Sequence, residues 1–387
     1  MTFMGYKRPY GKVGVRNHVV VMPGVVCSTV AAERIVNCAK GSVLLTNPFG
    51  CGQCQQETER SLKILSGLLS NPNVWGVLIV GLGCEAIQEE KYRAAIEAKS
   101  PGKPVYYITI QKEGGLARTV ARGTDIVQKM LGEAEAVERV ECDISELLLG
   151  LECGGSDPTS GASANVVLGK VSDKLIDLGG AAVISETSEF IGGEHIVKKR
   201  GATPEIGQAI HDAVVEKDKA FFAYGEDVRD SNPSPGNIRG GLTTLEEKSL
   251  GCIKKSGTRP FTGCYAYGDQ INEKGVAFMD TAAYDPISTV AEIAAGAQVV
   301  VFTTGLGNPM GCAVAPVIKV TGNHHTYEWL NDLLDFDTSA SLRGEKTVDE
   351  IGEELFGLIT EVCNGKRVRA ELNGADVMVI DQRYMGA

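Results

Sequence analysis

The stretch Val19-Val20-Val21-Met22-Pro23-Gly24-Val25-Val26-Cys27 decides the fold class. A continuous run rich in β-branched residues, with no polar side at period two, reads as a strand buried on both faces, which is the habit of parallel sheets covered by crossover helices. The pattern repeats outward from Val19–Val26. A helical stretch spans Ser28–Ala39, strands are expected at Ser42–Thr46, Val74–Val80 and Pro104–Ile110, and helices at Gln56–Ser70, Ala86–Ala98 and Gly115–Met130. Alternating strands and helices predict an α/β chain whose N-terminal domain, residues 1–135, is a doubly wound, flavodoxin-like parallel sheet. The acidic stretch Gly132–Glu141 has few large apolar residues and reads as a linker. Beyond it, residues 145–387 are expected to form a larger C-terminal α/β domain, with strands at Ala181–Ser185, Val276–Met279 and Val299–Phe302 and helices at Ala164–Leu178, Thr203–Lys219 and Val348–Val362.

Composition narrows the function. A chain of 387 residues is long enough for about two cores, and 43% hydrophobic with 22% charged residues is ordinary for a globular protein. The net charge of -11 disfavours nucleic acid and anionic membranes as partners. Apolar runs fall short of the ~18 residues that cross a bilayer. No secretory h-region stands at the N-terminus, because Arg16, Asn17 and His18 precede the valine run. Eleven cysteines, an odd number without a leader, read as reduced thiols in a cytoplasmic protein.

Three loops follow predicted strands in the first half: Pro23–Cys27, Asn47–Cys54 and Gly81–Glu85. Ligands of open parallel sheets gather at the carboxyl ends of strands, so Cys27, Cys51 and Cys84 are placed to face one crevice. Cys153 opens a further glycine-flanked loop, Cys153-Gly154-Gly155-Ser156-Asp157. Thiolates on glycine loops suit iron, as Fe2+ or an iron–sulfur cluster. Cys51, Cys84 and Cys153 are the expected metal ligands, with Cys27 or Cys54 as further candidates. Ser185-Glu186-Thr187-Ser188-Glu189 follows a strand, and Glu186 there is a candidate general base. The loop Asn232-Pro233-Ser234-Pro235-Gly236-Asn237 is richer in turn residues than a plain connection requires. Its Ser234 and Asn237 can hold carboxylate or hydroxyl groups of a substrate. Thr303 and Thr304 precede a glycine loop, Lys319 places positive charge near a strand end, and Lys248 opens a helix. These four residues complete the set, Lys248 as a second candidate catalytic group and the others as substrate contacts.

Taken together these segments resemble the altronate and galactarate dehydratase family in its large-subunit form. The resemblance rests on Gly5-Tyr6-x-Arg8, Gly14-Val15-Arg16-Asn17, Phe49-Gly50-Cys51, Asn71-Pro72-Asn73-Val74, Gly81-Leu82-Gly83-Cys84-Glu85, the Cys153 loop, Ser185-Glu186, Ser234-Pro235-Gly236-Asn237, Glu247-Lys248-Ser249-Leu250-Gly251 and Phe302-Thr303-Thr304-Gly305. It spans nearly the whole chain. It implies an iron- or manganese-dependent (Mn2+) hydro-lyase that dehydrates a hexonate or hexarate to a 2-keto-3-deoxy acid. It also implies a separate small subunit of the SAF type that contributes histidines, in a homo-oligomer of heterodimers. The related sulfo-lyase activity, which expels sulfite from sulfolactate, is the first alternative. A noncatalytic sugar-acid-binding or redox-sensing protein is the alternative of another class.

Overall fold

The computed structural model describes residues 1–382 and shows a mixed α/β protein built on three sheets. Four parallel strands run in the order Val43–Leu44, His18–Pro23, Val74–Gly81, Val105–Thr109. Successive residues of a strand face opposite sides, and both sides are covered by helices. Val19, Val21, Leu78 and Val80 pack against Ile35 of helix Thr29–Cys38 and Val127 and Met130 of helix Leu116–Glu135. Val20, Met22, Val77 and Ile79 pack against Ile64 and Leu68 of helix Gln55–Ser70 and Ile96 of helix Glu89–Lys99. Each such buried aliphatic side chain contributes about 1.5–3 kcal/mol relative to exposure. The valine strand ends at Pro23, earlier than its apolar run, and Gly24 N still donates to Val80 O of the neighbouring strand at 2.8 Å.

The larger sheet has seven parallel strands in the order Phe261–Tyr265, Gly275–Met279, Ala181–Ile184, Leu148–Cys153, Val299–Thr304, Val317–Thr321, Phe336–Asp337. Thr2–Lys7 pairs antiparallel with both Val13–Gly14 and Val140–Asp143 to make a third, small sheet. The stretch read as a linker is therefore structured: the helix before it continues to Glu135, and Val140–Asp143 is a strand. Only Cys142 of that strand is buried. Its order comes from backbone pairing, which leaves no apolar pattern to read. The strand Phe261–Tyr265 and the buried helix Asp285–Ala294 are further elements that the sequence reading above does not include.

One apolar core joins the two large sheets, since Val20, Met22, Ile64 and Ile79 share a cluster with Val183, Ala277, Val300 and Phe302. Helix Gln55–Ser70 meets helix Asp285–Ala294 so closely that a Cβ on Gly67 would stand 2.5 Å from Ala294 O. The Asn71-Pro72-Asn73 motif bolts the same junction. Asn71 Nδ2 donates to the carbonyls of Ile293 and Ala297, both at 2.9 Å. Asn73 Nδ2 donates to those of Gln298 and Val314, while Asn73 Oδ1 accepts from Val15 N at 2.8 Å. Among the described residues no helix is long and apolar enough to cross a membrane.

Candidate active site

The carboxyl ends of the central strands of the seven-stranded sheet, where ligands of open parallel sheets gather, carry a cluster of buried ionisable groups. Leu148–Cys153 delivers Cys153 as its last residue. After Ala181–Ile184 the chain reverses at Glu186, whose φ of 69° is left-handed without a glycine. That conformation costs on the order of 1 kcal/mol. It is held by Glu186 N donating to Thr281 Oγ1 at 2.8 Å. The reversal turns the Glu186 carboxylate inward and starts a short helical turn, Thr187–Phe190, that carries Glu189.

Four donor groups converge there. One ligand atom from each of Cys153, Glu186, Glu189 and Cys252 lies within 4.8 Å of the others, a grouping that can hold a metal ion. Two lysines reach into it. Lys255 Nζ is 2.6 Å from Glu186 Oε2 and 3.1 Å from Cys153 Sγ, and Lys248 Nζ is 2.6 Å from Glu189 Oε1. Burial pushes Glu186 up to about 7 against the pull of Lys255. For Glu189 the same burial is outweighed by Lys248 and Lys255, which hold its carboxyl below the usual range. Burial would lower Lys255, yet the Cys153, Cys252 and Glu186 groups around it push it well above an ordinary lysine. The Cys153 thiol is pushed up by its contact with Cys252 and by burial.

Behind this group lies a second set of carboxyls. Ser185 Oγ donates to Glu292 Oε1 at 2.8 Å, and Ser288 Oγ to Glu152 Oε1 at 3.0 Å. Both glutamates are fully buried. Burial raises Glu292 to about 8, and burial with the neighbouring Glu186 and Glu292 carries Glu152 well above the carboxylate range. Burial thus favours the protonated form of both.

Two cavities of about 410 Å³ each flank Lys248 and Glu189, which line both, a size suited to a small polar ligand. One also exposes Cys153, Cys252, Asp157 and Asn165. The other is walled by Gly154, Ser188, Ser234, Asn237 and Asp285. Lys248 is further held by Asn232 Oδ1 at 2.8 Å.

The structure redistributes the expected roles. Cys51 and Cys84 do not join Cys153: they are exposed on loops of the four-stranded sheet, whereas Cys153 is buried in the seven-stranded one. Ser234 and Asn237 do line a cavity, but they form the capping box of helix Pro235–Arg239, and Asn237 Nδ2 donates to Ser156 O at 2.9 Å. Thr303 and Thr304 are fully buried and use their hydroxyls on protein. Thr303 Oγ1 donates to Asn165 Oδ1 at 2.5 Å, while Thr304 Oγ1 accepts from Gly307 N at 3.0 Å. Lys319 is buried 3.6 Å above the Phe302 ring with no hydrogen-bond partner among the described residues, and burial lowers it to about 7. A residue inside a strand points alternately to either face, and period alone does not say which face holds the ligand. Glu152, Cys252, Lys255 and Glu292 escaped the sequence reading. Lys254-Lys255 resembles a solvated pair in sequence, and only the fold turns the second lysine inward.

Comparison with known proteins agrees with this architecture. Residues 144–385 match the family described as D-galactarate/Altronate dehydratase, C-terminal, and residues 5–135 match D-galactarate dehydratase/Altronate hydrolase, second domain. The chain is 35% identical to the (2R)-sulfolactate sulfo-lyase subunit beta of Chromohalobacter salexigens, over 100% of this chain and 98% of that one. It is 35% identical to the altronate dehydratase of Bacillus subtilis, covering 96% of this chain and 76% of the relative. With the L-threo-forming galactarate dehydratase of Escherichia coli the identity is 31%, over 95% and 73%. A parallel α/β scaffold with acid–base groups at its strand ends, matched from end to end by these relatives, makes the chain a member of the D-galactarate/altronate dehydratase family.

Proposed function

We propose that this chain is the large subunit of a lyase that eliminates water from a polyhydroxy carboxylate of the hexonate or hexarate class. The observation that carries the reading is the Lys248–Glu189 pair, set at 2.6 Å in the wall shared by the two cavities. Elimination from a hydroxy acid starts with removal of the proton α to the carboxylate, and the β-hydroxyl needs a proton to leave. Lys248 and Glu189 stand where one group can take a proton and the other return it. Lys255 and Glu186 fix Cys153 and the inner end of the group from behind.

A divalent ion is part of this proposal. Among the described residues Glu186 Oε1 is a buried carboxylate oxygen with no hydrogen-bond partner, which fits a cation bound within Cys153, Glu186, Glu189 and Cys252. Thiolate donors favour iron over manganese. Such an ion would stabilise the enolate-like charge that develops on the substrate carboxylate. A reducing cytoplasm, a small partner subunit and a homo-oligomer of the resulting heterodimers complete the proposal. The eleven free cysteines support the first, and the near-complete match to a chain named subunit beta supports the second.

The same match favours a second reading, in which sulfite is the leaving group and sulfolactate the substrate. Protein purified anaerobically with its partner and offered hexonates, hexarates and sulfolactate distinguishes the two. A 2-keto-3-deoxy acid supports dehydration, sulfite supports the second reading, and binding without turnover of any of them rejects both.

A further inference from the structure

We propose that Cys27, Cys51 and Cys84 form a three-thiolate site for an iron–sulfur cluster, separate from the Cys153 group. All three are exposed, and each sits in the loop that follows a strand of the four-stranded sheet. The three loops close on one another in every pairing. Val26 N donates to Phe49 O at 2.9 Å, and a Cβ on Gly50 would fall 2.6 Å from Gly24 O, so the first and second loops touch. Ala86 N donates to Gly50 O at 2.8 Å, which ties the second to the third. A Cβ on Gly24 would lie 3.6 Å from Gly81 Cα, and Ser28 Oγ donates to Val80 O at 2.6 Å, which ties the first to the third. Gly50, at φ 106°, makes this approach possible where a side chain would block it.

The ligand set is thiolate only. The carboxylate beside Cys84 is already engaged, because Glu85 accepts from Tyr107 Oη and from Gly83 N. Among the described residues, the group whose donor atoms close to within 4.8 Å is that of Cys153, Glu186, Glu189 and Cys252. The Cys27, Cys51 and Cys84 sulfurs do not all close to within that distance, and a polynuclear centre spans a wider ligand set than one ion. Thiolates from three loops hold three irons of a [4Fe–4S] unit. The fourth iron stays open to an oxygen donor such as a hydroxyl or carboxylate. Ligation replaces three S–H bonds with three S–Fe bonds and releases three protons, and no electron moves. Three solvent-facing thiols with no disulfide among them otherwise invite oxidation.

The test is spectroscopic and does not depend on turnover. The full chain is incubated anaerobically with equal parts of ferrous and ferric iron, sulfide and a thiol, desalted, and assayed for iron, acid-labile sulfide and thiolate-to-iron absorbance. The expected result is a cluster that is retained in Cys153→Ser and in Cys38→Ser, the latter at the far end of helix Thr29–Cys38, and lost in Cys27→Ser, Cys51→Ser and Cys84→Ser. Far-UV circular dichroism of each variant separates loss of the cluster from loss of the fold. A wild-type chain that holds no sulfide, or a cluster that survives all three loop substitutions, overturns the proposal. Because the Cys153 group is untouched, failure here leaves the proposed elimination to be judged on its own products.

Discussion

Lys255 Nζ lies 2.6 Å from Glu186 Oε2, with the two side chains 0% and 1% exposed. A buried ion pair of this kind adds little net stability, because desolvation consumes most of the Coulomb attraction. Here it sets the inward direction of the left-handed Glu186 and places a cation against Cys153.

Removing one partner leaves the other buried without its counter-charge. Lys255→Met is expected to destabilise the fold by about 3–5 kcal/mol, read as a lower urea midpoint. The double variant Lys255→Met with Glu186→Gln should recover much of that loss. A double variant no more stable than the single one would show that the pair is not the source.

Lys248 faces both cavities, and its replacement tests the acid–base assignment directly. Lys248→Ala should lower kcat by about 10²–10⁴-fold while its far-UV spectrum stays unchanged. Burial lowers the lysine, but Glu189 outweighs it and holds the ammonium well above its ordinary value. Glu189→Gln should therefore move the alkaline limb of the pH–rate profile to lower pH. An unmoved limb would remove Lys248 from the proton-transfer step.

Glu292 predicts a pH dependence of stability. Its folded value is raised to about 8 by burial, so between an unfolded value of about 4.3 and 8 the native state binds the extra proton. Stability is then complete below that window and falls as pH rises through it. Glu292→Gln, neutral throughout, should flatten the fall in thermal midpoint from pH 5 to 8. An equal slope in the two proteins would sink the assignment.

Asn73 is engaged on both sides of the junction between the sheets, through Val15 N, Gln298 O and Val314 O. Asn73→Ala strands these buried groups and should cost about 2–4 kcal/mol, at 1–3 kcal/mol for each unmet partner with partial relief by water. The check is denaturant unfolding. A second, earlier transition would mean that the sheets have uncoupled.

The first half of the fold was legible because its strands are unbroken apolar runs, and such runs have few alternatives to a doubly covered sheet. Helix Gln55–Ser70 lies within one residue of its predicted span, as does the end of helix Val348–Cys363. The site was legible only in part. Cys153 stands out beside a glycine, Glu186 at a strand end and Lys248 near a helix start, whereas Lys255 and Glu292 sit within segments whose sequence looks like a solvated turn and an amphipathic helix.

By itself the sequence determined the parallel α/β class, the strand-end loops and the family, because these depend on local apolar period, turn chemistry and motif order. Tertiary structure alone decided which charged residues face one another. Cys153 and Lys255 are 102 positions apart yet meet at 3.1 Å, and the energy of a buried charge depends on neighbours that only the packed sheet brings within reach.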